Sequence, residues 1–286
     1  GGALLIMLAV SDIVVVGLRL ILGALGLLGN EGASLIFDSA SFKSFLHAML
    51  SITMFTLPFI FLFKVFSFDK IPSTQDMAHD LIAASKATNK TAVVALAQSA
   101  GRGRHRRRWV SHHGNLYVSF IYDSDIRDGR LSYSVAVAVA ETLMSFGITP
   151  SIKWPNDILI DGKKVCGILI EYSGDYVIVG IGINIKTNPT VPEYKTDKLD
   201  NHVSVSANEL LGRLMINLDA WRTTEFSVVR KRWLDLVVGL HKDVIYRGEP
   251  AELIGINENG ALVLRRDTRY LLVYGDEITM SSKKTY

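Results

Sequence analysis

The stretch "TAVVALAQSAGRGRHRRRW", residues 91–109, places an apolar run directly before a loop that holds two glycines, five arginines and one histidine. Thr91 to Gln98 predicts a buried strand, and open α/β proteins bind ligands in loops that follow such strands. Gly101 and Gly103 permit close backbone approach, while arginines offer forked donors to phosphate oxygens. Four interpretations remain open for the loop: a solvated segment, a surface that binds nucleic acid, a signal that a receptor recognises, or a loop that binds phosphate.

Composition narrows these interpretations. The chain has 286 residues, with 31 Lys and Arg against 28 Asp and Glu, so its charge is nearly balanced and the basic loop is a local feature. Non-specific nucleic-acid binders instead carry excess positive charge over a whole face. The single cysteine, Cys166, excludes an internal disulfide framework and fits a reducing compartment, so we expect a cytoplasmic protein.

The first 66 residues differ from the rest of the chain. Two apolar runs, Ala3 to Leu28 and Phe45 to Phe63, each approach the roughly 20 residues needed to cross a hydrocarbon core. We expect a hydrophobic helical segment over residues 1–66, and a membrane hairpin is its direct interpretation. Asp12 and Arg19 weaken the first span because charges are costly inside a bilayer. The chain starts with Gly, and a truncated neighbour, a fusion or a misplaced start are the alternatives.

From Ser67 onward the pattern predicts an α+β protein. Ser73 followed by Asp76 is typical of a helix start, and "LSYSVAVAVAETLMSF", residues 131–146, predicts an apolar helix. Short strands lie between and after these helices, with a hairpin turn expected at Asp161-Gly162. A further helix begins near Ser206, which has Glu209 three residues later in a capping-box arrangement.

The chain after residue 238 changes in character. From His241 onward the sequence consists of short strand-like stretches separated by Asn and Gly turns. About forty residues of this pattern favour a small SH3-like barrel as a separate C-terminal domain, residues 239–286.

Two further motifs suggest chemistry. "KWPND", Lys153 to Asp157, is open to interpretation as a core tryptophan with a polar hairpin lead-in. Lys164 lies in "KKVCGILIE" among apolar residues. A strand lysine is commonly a solvent-facing edge residue, whereas a lysine aimed into a pocket could neutralise an anionic substrate.

These motifs occur together and in one order. "STQ", "GRGRHRRRW", "GNLYVS", "KWPND", "KKVCGILIE" and "GIGINI", followed by a small β domain that ends in "GDEITM", resemble the biotin protein ligases over about residues 68–280. The resemblance implies a catalytic domain related to class II aminoacyl-tRNA synthetases, residues 67–238, with a mixed or antiparallel sheet, and the SH3-like domain after it. It also implies ATP, Mg²⁺ and biotin as reactants, formation of biotinyl-5′-AMP, and biotin transfer to a lysine of a biotin carboxyl carrier protein.

The resemblance also implies roles for individual residues. The catalytic group comprises Lys164, Asp157, Arg102 and Arg104. Biotin would contact Ser73, Thr74, Gln98, Gly101, Arg102, Lys164 and Gly167, with Tyr117 nearby. The adenylate would contact Arg102, Arg104, Arg107, Trp109, Asn156 and Asn184. The metal ligands are unknown, and the basic loop is expected to be mobile when empty and to close over the adenylate.

The sequence departs from the family pattern at one loop position, at one position of the "STQ" motif and at its N-terminus. Arg106 stands where a third loop glycine is usual, and Gln75 stands where asparagine is usual. Because a residue other than glycine at positive φ costs roughly 1 kcal/mol or more, Arg106 puts the loop geometry in doubt. Residues 1–66 carry almost no basic surface, so we expect neither a winged-helix repressor domain nor DNA binding.

Two alternatives to a biotin ligase stay open. A lipoate ligase or acyltransferase would share the catalytic fold, and a nucleic-acid binder would use the arginine loop alone. The resemblance is also compatible with a homodimer. Membrane attachment is expected only if residues 1–66 are a genuine part of the protein.

Overall fold

The computed structural model describes residues 63–124, 129–192, 194–275 and 278–280. The helical interpretation of the N-terminal segment lies outside the described residues, except that its last residues belong to strand β1, Lys64–Ile71. The chain divides into two compact units, Gly1–Phe68 and Asp69–Tyr286. The functional residues discussed below all belong to the second unit.

The larger of two sheets in the described part of the chain has seven strands, in the order β1-β2-β3-β7-β6-β5-β4. The pairings between neighbouring strands from β2 to β7 are antiparallel. This arrangement confirms the α+β class expected from the sequence. The strands after β1 are β2 Thr91–Gln98, β3 Leu116–Asp123, β4 Ser151–Lys153, β5 Asp157–Ile160, β6 Lys163–Ser173 and β7 Tyr176–Ile183.

The tight turn between β5 and β6 forms where the sequence predicts it. Asp161 and Gly162 have φ values of +49° and +73°. A two-residue turn with positive φ at both positions matches the twist of the flanking strands. This turn brings β5 and β6 together as an antiparallel hairpin.

The predicted helix starts are also confirmed. Ser73 precedes helix α1, Thr74–Ala83, and its side chain accepts hydrogen bonds from the backbone N–H groups of Gln75 and Asp76. Ser206 and Glu209 form a reciprocal capping box at the start of α3, Ala207–Arg222. The buried helix α2, Arg130–Met144, packs against α3 and against α4, Phe226–Leu236. Helix α1 contacts β2, β3 and β7, so its N-terminus lies above the centre of the sheet.

The C-terminal part of the chain forms a second sheet in the order β11-β10-β9-β8-β12. A chain of hydrogen bonds connects this sheet to the larger one: Trp154 Nε1 donates to Tyr133 Oη at 3.2 Å, and Tyr133 Oη donates to the carbonyl of Gly260 at 2.9 Å. The strands are β8 Asp243–Tyr246, β9 Glu249–Ile256, β10 Leu262–Arg266, β11 Arg269–Val273 and β12 Thr279–Met280.

Among the helices of the described ranges, none is both long enough and apolar enough to span a membrane.

Candidate active site

A cleft of about 970 Å³, its open mouth included, lies over the central strands of the larger sheet. The N-terminus of α1, the loop after β2, the turn between β4 and β5, and strands β3, β6 and β7 supply its walls. Most of the residues that the sequence singles out line this one cleft: Ser73, Thr74, Gln98, Arg102, Arg104, Arg107, Trp109, Tyr117, Asn156, Asp157, Lys164 and Gly167.

Gly101 does not line the cleft, although the sequence assigns it to the biotin contacts. A Cβ atom at Gly101 would lie 2.5 Å from the carbonyl oxygen of Trp109 and 2.7 Å from Ser111 Oγ. Atoms that close would clash, so the glycine is required where the loop returns past its own start. Its place in the structure supports the loop rather than a ligand.

One end of the cleft, the neutral end, consists of Ser73, Thr74, Gln75, Gln98 and Ser119. Gln98 Oε1 accepts hydrogen bonds from the backbone N–H of Thr74 at 2.7 Å and from its hydroxyl at 3.2 Å. Ser119 Oγ lies 2.9 Å from both Thr74 Oγ1 and Gln75 Oε1. These side chains carry no charge, and their donors and acceptors are fixed by one another before any ligand binds.

Sequence reasoning missed Gln75 and Ser119 as members of the neutral end. The longer side chain of Gln75 fits because Gly180 has no Cβ: such an atom would lie 2.5 Å from Gln75 Oε1. The signal for Ser119 is the spacing of two from Tyr117 in an apolar strand, which places both side chains on one face of the sheet.

Tyr117 is a buried residue that lines the cleft as a neutral hydrogen-bond donor. Burial raises the pKa of Tyr117 to about 12, against the smaller opposing effect of hydrogen bonds with Asn115 and Ser111. Its hydroxyl donates to the carbonyl of His112 at 2.8 Å. Tyr117 therefore keeps its proton at neutral pH and does not serve as a base.

The opposite end, the charged end, centres on Lys164 and Asp157. Lys164 Nζ lies 2.7 Å from Asp157 Oδ1, and only 13% and 19% of the two side chains are exposed. The same ammonium group lies 5.3 Å from the ring centre of Trp109 and 5.0 Å from that of Tyr194. One carboxylate and two aromatic faces thus fix a cation at the floor of the cleft.

A β-bulge brings Lys164 to the same face of the sheet as Gly167. The two residues are three positions apart along β6, and regular alternation would place them on opposite faces of the sheet. The register between β5 and β6 shifts between Ile158 and Leu159, which pair with Cys166 and Lys164. The extra residue in β6, Val165, is buried, and it allows both Lys164 and Gly167 to face the cleft.

Trp109 lies flat on two paired glycines. Gly167 of β6 and Gly182 of β7 are direct partners in the sheet. A Cβ at Gly167 would lie 2.8 Å from Trp109 Cζ3, and one at Gly182 would lie 2.5 Å from Trp109 Nε1. Side chains at these two positions would displace the indole, so both glycines are needed for its place.

A second, smaller cleft of about 280 Å³, its open mouth included, lies beside Trp109 and Lys164 and includes Asn184. Asn184 Nδ2 donates to the carbonyl of Asp197 at 3.0 Å. Its Oδ1 is buried and, among the described residues, has no hydrogen-bond partner. The structure thus places two of the six residues predicted for the adenylate, Trp109 and Asn184, against one cavity.

The chain segment that positions Asn184 is held by the buried carboxylate of Asp197. Burial alone would raise the pKa of Asp197, but hydrogen bonds from Lys198 N, Asn201 and His202, with the nearby charge of Lys163, lower it to about 2. The backbone of Asp197 also donates to the carbonyl of Lys164 at 3.0 Å. One ionised side chain therefore supports both the smaller cleft and the strand of Lys164.

The basic loop folds as a short antiparallel hairpin. Arg102 pairs with Arg108, and the backbone of Gly103 donates to the carbonyl of Arg107 at 2.8 Å. The tip is a 3₁₀ turn in which His105 and Arg106 have φ values of +53° and +59°. Arg106 therefore adopts the left-handed conformation for which glycine is the usual residue, as the sequence led us to expect.

Arg102 and Arg104 of the basic loop both contact protein groups. Arg104 Nη2 donates to the carbonyl of Gly275, in the C-terminal part of the chain, at 2.6 Å. Arg102 contacts two carboxylates, those of Asp76 and Glu171, although the sequence predicts that it faces the carboxylate and phosphate of the ligand. Its hydrogen bond with Glu171 is the largest cause that raises the pKa of Arg102.

Within the described ranges, no group of three or more His, Cys, Asp or Glu side chains is placed to hold a metal ion. The carboxylates in and beside the cleft are engaged with cationic side chains, as in the pairs Asp157–Lys164 and Glu171–Arg102.

The sequence and the fold match those of a known class of ligases. A sequence model of the biotin/lipoate A/B protein ligase family matches residues 67–188. The bifunctional ligase/repressor BirA of Bacillus subtilis is 32% identical over 74% of this chain and 72% of its own length. The biotin–acetyl-CoA-carboxylase ligase of Paracoccus denitrificans is 33% identical over 60% of this chain and 83% of its own length.

A solved structure agrees with these sequence relatives. The biotin protein ligase of Aquifex aeolicus, in complex with biotin and ATP, superposes with a TM-score of 0.67 at 26% identity, covering 76% of this chain and 97% of that one. The chain belongs to the biotin protein ligase family.

Proposed function

We propose that this chain is an ATP-dependent biotin protein ligase. It forms biotinyl-5′-AMP from biotin and ATP and transfers biotin to a lysine of a biotin carboxyl carrier protein. The observation that carries the proposal is the position of Lys164, whose ammonium group is held by Asp157 at 2.7 Å where the two clefts adjoin. A fixed cation at that point serves a reaction that joins two anions.

The two ends of the main cleft suit the two ends of biotin. The ureido group requires paired donors and acceptors without charge, which the neutral end offers through Thr74, Gln98 and Ser119. The carboxylate at the other end of the molecule would then approach Lys164. The smaller cleft, with Trp109 and the unpaired buried carbonyl oxygen of Asn184, would hold the adenine ring.

In the first step, a carboxylate oxygen of biotin bonds to the α-phosphorus of ATP. The bond from that phosphorus to the bridging oxygen breaks, and pyrophosphate leaves with the electron pair. Charge concentrates on the phosphoryl oxygens in the transition state, so preorganised cations lower the barrier. Lys164, Arg104 and Arg107 line the cleft where these oxygens would lie.

In the second step, the carrier lysine amine attacks the carbonyl carbon of the mixed anhydride. The bond from that carbon to the phosphate oxygen breaks, and AMP leaves. Asp157 is placed to orient the amine and to accept its proton, since its carboxylate lines the cleft beside Lys164. Closure of the basic loop would keep water from the anhydride.

The described residues do not form a resident metal site. Mg²⁺ would instead arrive with ATP as the counter-ion of its phosphates and would neutralise part of their charge.

We further assign residues 67–238 to a catalytic domain and residues 239–286 to a C-terminal domain of SH3-like type. The five-stranded sheet of the C-terminal part supports the second assignment. Homodimer formation and membrane attachment through residues 1–66 stay predictions.

The test is exchange of radiolabelled pyrophosphate into ATP by the full chain in the presence of Mg²⁺. We expect exchange that depends on biotin, with lipoate in parallel reactions giving none. Exchange with lipoate instead would assign the chain to the lipoate branch of the family. No exchange with either acid from folded protein would contradict the proposal.

A further inference from the structure

Arg102 lies at the base of the basic loop inside a cluster of charged side chains, the Arg102 cluster, which comprises Arg102, Asp76, Glu171 and His79. Arg102 donates to both carboxylate oxygens of Glu171, at 2.7 and 3.0 Å, and to Asp76 Oδ1 at 2.8 Å. His79 Nε2 lies 3.0 Å from Glu171 Oε2. The cluster joins three separate elements: the loop, helix α1 and strand β6.

The Arg102 cluster leaves its guanidinium poorly suited to bind an anionic ligand. All three guanidinium nitrogens of Arg102 have carboxylate partners, so two negative charges face one positive charge. A phosphate that approached the cluster would have to displace a carboxylate and would face the other one. Arg102 lines the cleft, as Arg104 and Lys164 do, but its guanidinium nitrogens are engaged by the two carboxylates.

Glu171 is the stronger of the two carboxylate partners. It binds the guanidinium through two parallel hydrogen bonds, which is the strongest geometry for an arginine–carboxylate pair. Its side chain is 26% exposed, whereas that of Asp76 is 48% exposed and contacts the guanidinium through one carboxylate oxygen only, Oδ1. Burial raises the pKa of Glu171, but hydrogen bonds from Arg102, His79 and Gln75 outweigh it and lower the pKa overall.

Fixing Arg102 also fixes the strand that returns from the loop tip. Arg102 pairs with Arg108, and the backbone of Trp109 donates to the carbonyl of Gly101 at 2.8 Å. The indole of Trp109 lies on Gly167 and Gly182. Its position therefore depends on Glu171 through the loop backbone next to Arg102 and through the hydrogen bonds of Arg102 with Glu171.

We propose that Glu171 is a positioning residue that acts through Arg102. It holds the base of the basic loop against β6, so that the loop stays over the cleft and the adenylate intermediate is retained between the two steps. The anchoring of the loop rests on the contacts above, and the consequence for the intermediate rests on the proposed function.

Limited digestion of the ligand-free full chain with trypsin tests the anchoring, because the loop tip offers several arginines to the protease. Glu171→Gln keeps the shape of the side chain and removes its charge. We expect cleavage between residues 104 and 108 to be roughly 5-fold faster than in the wild type, since proteolysis follows the population of the opened loop. Asp80→Asn, an exposed carboxylate on the same helix as Asp76, is the matched control and should leave the rate unchanged.

Mass spectrometry of the fragments assigns each cleavage to its site. Faster cleavage confined to the loop supports the proposal. An unchanged rate in Glu171→Gln, or an equal increase at sites throughout the chain, overturns it, because the first means that the anchor is absent and the second means that the whole fold has loosened.

A double-mutant cycle tests whether Glu171 acts through Arg102. Single-turnover release of radiolabelled biotinyl-5′-AMP is measured for Glu171→Gln, Arg102→Met and the double variant. We expect faster release in each single variant and no further increase in the double variant, since both remove the same contact. Fully additive effects would overturn the proposal. If the wild type forms no adenylate, the proposed function fails, while the trypsin result still decides the anchoring.

Discussion

The neutral and charged ends of the cleft are built in opposite ways. At the neutral end, hydroxyl and amide groups of Thr74, Gln98 and Ser119 bind one another, and each element that supplies them is regular structure. At the charged end, Lys164 is held by an ion pair and two aromatic rings, one of them from the loop. We therefore expect affinity to depend on the neutral end and rate on the charged end, since uncharged pairs select a ligand and a fixed cation stabilises developing charge.

The largest effect should follow a change at the charged end. Lys164→Ala removes the cation nearest the expected reaction centre, and loss of one preorganised electrostatic group typically lowers the rate about 100- to 1000-fold. We expect the maximal rate of biotin-dependent pyrophosphate exchange to fall by that factor. Lys164→Arg, which keeps the charge, should retain more activity than Lys164→Ala. Exchange in Lys164→Ala within about 5-fold of the wild type would remove Lys164 from its assigned role.

An intermediate effect should follow a change at the neutral end. Gln98→Met removes the amide that binds Thr74 and leaves a buried backbone N–H without its acceptor, at a cost of about 1–3 kcal/mol. We expect biotin to bind roughly 10-fold more weakly by isothermal titration calorimetry, with the exchange rate at saturating biotin little changed. Ser99→Ala, at the exposed neighbouring position, serves as the control. A loss of maximal rate without a loss of affinity would contradict the assignment of affinity to the neutral end and of rate to the charged end.

The smallest effect should come from the loop tip, outside both ends. Arg106→Gly relieves a left-handed conformation that costs a non-glycine residue about 1–2 kcal/mol, while the glycine adds about 0.5–1 kcal/mol of backbone entropy to be lost on folding. We expect the free energy of unfolding, from urea titration, to rise by no more than about 1 kcal/mol. Arg108→Gly, in the extended strand that returns from the tip, should instead destabilise the chain. A lower stability in Arg106→Gly would show that the arginine side chain contributes more than its backbone strain costs.

Much of the fold and most of the site follow from local sequence signals. Ser73 and Ser206 cap helices because their hydroxyl groups satisfy free N–H groups at helix starts. Asp161 and Gly162 turn the chain because both tolerate positive φ. The residues that line the cleft were predicted through the resemblance to the biotin protein ligases, which these motifs and their order carry.

The rest depends on contacts that no local pattern encodes. The bulge in β6 is a difference in register between two strands, and it decides which way Lys164 faces. The carboxylate partners of Arg102 come from positions 26 and 69 residues away in the chain. The resemblance implied only that Arg102 faces the ligand, and the structure adds that its guanidinium, in a residue that lines the cleft, contacts Asp76 and Glu171.

The hydrogen-bond chain from Trp154 through Tyr133 to Gly260 bears on how such enzymes can be recombined. Gly260 has a φ of +80°, and a Cβ there would lie 2.9 Å from Arg130 Cγ, so this position requires glycine. A chimera that takes its C-terminal sheet from a relative must therefore keep a glycine at this position, with its carbonyl placed to accept a hydrogen bond from Tyr133 Oη. Without this carbonyl, Tyr133 would lose its hydrogen-bond acceptor. The junction between the two parental sequences would then disturb Trp154 and the turn that carries Asp157.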